Sequence, residues 1–106
     1  MKRLFLVCLA LVAAQPALAD GPIALLLQDH KFTPSQIHVK ANTPVVIHMT
    51  NADLTAEEFD STALKVEKVV AGNSAGDVRI RPLSPGKYPF MGEYHPDTAQ
   101  GVVIAQ

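Results

Sequence analysis

The chain has 106 residues, a single cysteine, Cys8, and a formal net charge of −1. That length holds one domain, the charge offers none of the basic surface that nucleic-acid binding needs, and one thiol cannot form an internal disulfide or a Cys-type zinc or iron–sulfur site.

From the N-terminus, Lys2 and Arg3 precede an apolar run from Leu4 to Ala14, and Ala17-Leu18-Ala19 supplies small residues for a cut. This is the pattern of a secretory signal peptide. Two segments are therefore expected, a cleaved signal over 1–19 and one domain over 20–106. Cleavage leaves 106 − 19 = 87 residues with a net charge of 7 − 10 = −3, and it removes Cys8. Cys8 follows Val7 instead of a small residue, which argues against a lipoprotein anchor. A domain of this size buries only ~60–65% of its unfolded surface, so without cross-links it needs an efficient core, a bound metal, or both. No second apolar stretch is long enough to cross a membrane.

Short strands are expected in sequence. Ile23 to Gln28 is an apolar run closed by Thr33-Pro34, and Gln36 to Lys40 alternates polar and apolar side chains. After the turn Ala41-Asn42-Thr43-Pro44, Val45 to Thr50 is rich in β-branched residues, with Val45, Ile47 and Met49 on one face and Val46, His48 and Thr50 on the other. A looser acidic segment holds Glu57, Glu58, Phe59 and Asp60, with a brief helical turn expected near Thr62 to Leu64. Val66 to Val70 and Asp77 to Leu83 read as hairpin partners across Ala71 to Gly76. Ser84 to Lys87 is a turn, and Tyr88 to Gly92 and Gly101 to Ala105 are the last strands. Some seven short strands with almost no helical periodicity predict an all-β fold, a small antiparallel Greek-key β-sandwich.

The side chains able to carry chemistry are the histidines, the acidic pairs and two methionines. His38 alternates with Gln36 and Lys40 on a solvated face; His48 and His30 read as surface residues or as ligands. His95 stands two residues after Glu93 and before Pro96, which favours an extended backbone. In an extended segment Glu93 and His95 project to one side, as half of a metal site or as an ordinary surface pair. If Phe59 points inward, Glu57 does too, and Glu58 and Asp60 face the other way. A buried Glu57 needs a partner, while a solvated acidic turn is the alternative. Met49 and Met91 suit packing better than ligation. Around Ser35, Ser61, Ser74 and Ser84 there is no nucleophile elbow, and the chain has no phosphate-cradling glycine loop and no HExxH pair. No independent enzyme is expected.

Taken together, Phe32-Thr33-Pro34, Ile37-His38-Val39, the β-branched strand into Asn51-Ala52-Asp53, Leu83-Ser84-Pro85-Gly86-Lys87-Tyr88-Pro89-Phe90 and Gly101-Val102-Val103 resemble a cupredoxin over nearly all of the mature chain. In blue-copper members a His, a Cys, a second His and usually a Met bind copper; the matching positions here are Glu57, Gly92, His95 and, near the Met, Gln100. Without the thiolate, a blue-copper electron carrier is excluded. The runs Glu57-Glu58-Phe59-Asp60-Ser61, Leu64, Glu67-Lys68-Val69-Val70 and Gly92-Glu93-Tyr94-His95-Pro96 resemble a cysteine-free subfamily, with Asp60 where that subfamily more often has Glu. Its members are periplasmic cupredoxin-like components of bacterial iron-uptake systems built around an oxidase-dependent iron permease. The resemblance implies a periplasmic protein that binds copper, as Cu(II), and/or iron through Glu57, Glu93 and His95, supplemented by Glu58, Asp60 or Met91. It also implies an iron permease and other uptake components as partners, and a role in ferrous-iron oxidation or hand-over. A metal-free docking module and a copper-tolerance protein are the alternatives.

Overall fold

The computed structural model describes residues 21–106; the expected signal peptide and Cys8 lie outside the described residues. Nine strands form in chain order: β1 (Ile23–Gln28), β2 (Lys31–Thr33), β3 (Gln36–Val39), β4 (Val45–Asn51), β5 (Glu57–Ser61), β6 (Val66–Val70), β7 (Ser74–Ile80), β8 (Gly86–Gly92) and β9 (Gln100–Ala105). One sheet has the order β2-β1-β4-β7 and the other β3-β9-β8-β5-β6.

The expected all-β sandwich is observed, with mixed rather than purely antiparallel sheets. β1 pairs with β4 in parallel, and so does β3 with β9. The reason is the route of the chain: β3 crosses to the second sheet before β4 returns beside β1, so those neighbours are not joined by a hairpin. Two further expectations are corrected. The acidic segment is a regular strand, β5, and the turn after it is the β5–β6 hairpin turn, where the Lys65 N–H donates to the Thr62 carbonyl. The segments β6 and β7 are not hairpin partners either; β6 pairs with β5 and β7 with β4, in different sheets. Alternation alone cannot say which neighbour a strand takes.

The period-2 pattern places the core. Ile47 and Met49 of β4, Phe59 of β5, Val78 and Ile80 of β7, Phe90 of β8 and Val103 of β9 all face the gap between the sheets and are buried. Phe59 stacks on Phe90 with centroids 4.7 Å apart, and Phe32 meets Phe90 edge-on at 5.2 Å. Contacts of this kind add about 0.5–1.5 kcal/mol each beyond burial. The aromatic cluster lies below the end of the sandwich where β5 begins and β8 ends.

Candidate metal centre

β5 divides the acidic residues by its alternation. Glu57, Phe59 and Ser61 are buried, while Glu58 and Asp60 are half-buried on the outer face. Glu57 is fully buried and completely partnered. Its Oε1 accepts the backbone N–H groups of Glu58, at 3.1 Å, and Tyr94, at 2.8 Å; its Oε2 accepts the Nδ1–H of His95 at 2.5 Å. A carboxylate bonded to one imidazole nitrogen fixes the tautomer and aims the other nitrogen, Nε2, elsewhere.

Gly92 explains how a glutamate fits in this position. A Cβ at residue 92 would lie 2.7 Å from Glu57 Cδ and 2.8 Å from the Ala99 Cβ. The Glu57 carboxylate therefore occupies the room that a side chain at 92 would need. Positions 57, 92 and 95, three ligand positions in the resemblance to blue-copper proteins, converge at one end of the sandwich.

Glu93 does not join them. The His95 N–H donates to the Gly92 carbonyl at 3.0 Å, so residues 92–95 close a turn and the extended geometry that would align Glu93 with His95 is absent. The Glu93 N–H donates instead to the Glu58 carbonyl, and its carboxylate meets Glu58 and Asp60 on the outer face. Ligand atoms of Glu58, Asp60 and Glu93 lie within 4.8 Å of one another. Partial desolvation and the charges of Glu93, Glu67 and Asp60 push the Glu58 carboxyl above its ordinary 4.5. Met91, exposed and directly opposite Asp60 across the β5–β8 ladder, belongs to this outer face. The candidate residues thus form two groups on either side of β5: Glu57 with His95 inside, and Glu58, Asp60 and Glu93 beside Met91 outside.

The structure brings to this region His30, which reads from sequence as a surface residue or a ligand, and adds Asp53, which sequence does not single out. The His30 ring stacks on His95 with centroids 3.5 Å apart and planes inclined by 10°. Asp53 accepts the Asp29 N–H at 2.7 Å and the His30 N–H at 3.0 Å. Those bonds, that of His30 foremost, hold the Asp53 carboxyl below 3.8 against the opposing effect of burial. Residue types carry little signal here: Asp29 is a common turn former, but the second place of a two-residue hairpin favours Gly, so a histidine there does not announce the turn.

Two sheets joined by Greek-key crossovers, with an imidazole-bearing loop between the last two strands, define the cupredoxin class of β-sandwich. The chain belongs to the cupredoxin-like domain family, whose model matches residues 3–105. It is similar to the uncharacterized protein RP394 of Rickettsia prowazekii (strain Madrid E), 36% identical over 114 residues that cover 97% of this chain and 91% of that protein. Among solved structures, the metal-binding domain, with Cu(I), of the Cu(I)-exporting P-type ATPase CopA of Streptococcus pneumoniae D39 matches with a TM-score of 0.73 at 15% identity, over 85% of this chain and 91% of that one. Amicyanin from Paracoccus versutus matches at 0.63 with 14% identity, over 86% and 87%. At such identities the likeness is one of fold.

A blue-copper donor set does not fit the described residues, because they contain no thiol and Gly92 has no room for one beside Glu57. Imidazole and carboxylate donors do fit Cu(II) or iron.

Proposed function

We propose that this protein is a periplasmic metal-binding module that takes Cu(II) at the His95 end and iron at the outer carboxylate group, and assists iron uptake by handing iron to a membrane permease. The observation that carries this reading is the division made by β5, with a carboxylate-oriented imidazole on one side and three convergent carboxylates on the other. Imidazole suits Cu(II), whereas clustered oxygen donors are hard and stabilise Fe(III) relative to Fe(II).

Each residue has a distinct part. Glu57, with both oxygens already bonded, orients His95, and His95 Nε2 is the donor. Glu58, Asp60 and Glu93 present carboxylates at the surface, where mutual repulsion favours a bound cation and exposure allows its release to a partner. Met91 adds a soft donor beside them. Copper held at His95 would supply a one-electron centre, which suits a redox accessory. The resemblance to cysteine-free iron-uptake components supports the permease as partner and the periplasm as location. The CopA domain, solved with Cu(I), supports copper on this fold and favours a second reading, a copper-tolerance protein without an iron role.

Equilibrium dialysis with Cu(II) and Fe(III), followed by metal analysis, tests both sites. A Glu58→Gln, Asp60→Asn, Glu93→Gln triple variant is expected to lose iron and keep copper, and His95→Ala to do the reverse. Binding no higher than background, or unchanged in both variants, refutes the assignment. A deletion strain should grow poorly under iron limitation; copper sensitivity alone would favour the second reading.

A further inference from the structure

We infer that His30 is a second imidazole donor of the His95 copper centre, presented by a turn whose backbone is held in place by Asp53. The inference rests on the proposal that His95 binds Cu(II), and adds a ligand from a hairpin that contains none of the four positions at which the cupredoxin resemblance places ligands.

Asp29 and His30 form the two-residue connection between Gln28 of β1 and Lys31 of β2, and both have positive φ, 53° and 57°. A two-residue hairpin of this kind favours Asn or Gly at both places, because a side chain with a Cβ is disfavoured in the left-handed region. Local preference therefore argues against histidine at position 30. The conformation is maintained from outside the hairpin, by the two oxygens of Asp53 on the two turn N–H groups. Asp53 is itself fixed, since its N–H donates to Asn51 Oδ1 and its carbonyl accepts the Asn73 N–H. The Asn51 amide is anchored in turn on the carbonyls of Thr55 and Val70.

This chain of bonds runs from the buried end of β4 to a single outcome, an imidazole laid on His95. The ring of His30 is not committed to another structural bond. Its Nε2 is 4.0 Å from Asp53 Oδ2, beyond hydrogen-bond distance, and its side chain is 44% exposed against 29% for His95. A metal ion lies in the plane of each imidazole that binds it, so two parallel rings cannot both address one ion while stacked. The bond to Glu57 holds the His95 ring still, which leaves His30 as the ring that turns to complete the pair. Two nitrogen donors also raise the preference for Cu(II) over the iron that the carboxylate group takes.

The test compares Cu(II) binding and the number of coupled imidazole nitrogens, read by electron spin-echo spectroscopy, in wild type, His30→Asn, His30→Gly and His95→Ala. Asn and Gly both suit the left-handed turn, so both variants should melt at or above the wild-type temperature, which separates ligation from folding. Wild type should show two imidazoles. His30→Asn and His30→Gly should show one, with Cu(II) affinity lower by at least the roughly 10–100-fold that losing even an outer-shell partner of a ligand costs. An unchanged nitrogen count and affinity in the His30 variants, with binding lost in His95→Ala, overturns this inference and leaves the His95 site standing. No Cu(II) binding by wild type overturns both.

Discussion

Replacing Gly92 by alanine puts one methyl group into the space that Glu57 occupies. The new carbon would stand 2.7 Å from Glu57 Cδ, 2.9 Å from Oε1 and 2.8 Å from the Ala99 Cβ, so it is pinched between two fully buried side chains. Ordinary carbon contact is about 3.5–4.0 Å, which leaves roughly 1 Å to be found by displacement. Glu57 cannot give that distance without lengthening its bonds to Tyr94 and His95. Overpacking costs about 1–3 kcal/mol, and weakening a charge-assisted bond in a buried site adds about 1–2 kcal/mol of the 1.5–3 such bonds contribute. A loss near 3 kcal/mol corresponds to a fall in Tm of roughly 12–24 °C for a domain of this size. Thermal unfolding by circular dichroism measures the fall, and a Glu57→Ala background provides the control. With the carboxylate gone, the cost of Gly92→Ala should shrink to the part owed to Ala99. A Gly92→Ala protein that melts within about 3 °C of wild type, well inside the shift a single kcal/mol produces, would refute the claim that Glu57 fills the volume beside residue 92.

Three further outcomes follow from the same geometry. Glu57→Gln keeps one oxygen for the two backbone N–H groups but turns an amide towards His95 Nδ1; the ring should change tautomer, visible in its nitrogen NMR shifts, at a stability cost of about 1.5–3 kcal/mol. Asp53 has a lowered carboxyl pKa, so its contribution is present above the unfolded value and lost as pH falls through the folded one; the amide protons of Asp29 and His30 should titrate together with a midpoint below 3.8. Glu58 has the opposite sign: its raised pKa means that the ionised form burdens the folded state, a burden absent below the unfolded value and complete as pH rises past the folded one. Glu58→Gln should therefore melt higher than wild type at neutral pH and level with it at pH about 3, below both pKa values, as read by calorimetry.

The sequence by itself determined the sandwich and the sidedness of its strands. Alternation in Val45 to Thr50 suits a sheet with one face in a core, whereas Glu57 to Ser61 reads as a looser acidic segment in which only the condition that Phe59 points inward sends Glu57 inward and Glu58 and Asp60 outward. The absence of cysteine after residue 8 likewise excludes a thiolate centre from residues 9–106. Strand neighbours were not legible, because β6 and β7 have the same pattern whether they pair with each other or with strands of opposite sheets. Nor was the direction of Glu93, since a turn at 92–95 and an extended segment differ by one hydrogen bond that residue types do not dictate. Tertiary structure alone decided that Glu57 meets His95, that Glu93 meets Glu58, and that His30 lies on His95. Those pairs are separated by 38, 35 and 65 positions and depend on how strands from both sheets end at a common edge. Local sequence sets which face a side chain takes; only the packing of the sheets sets what it finds there.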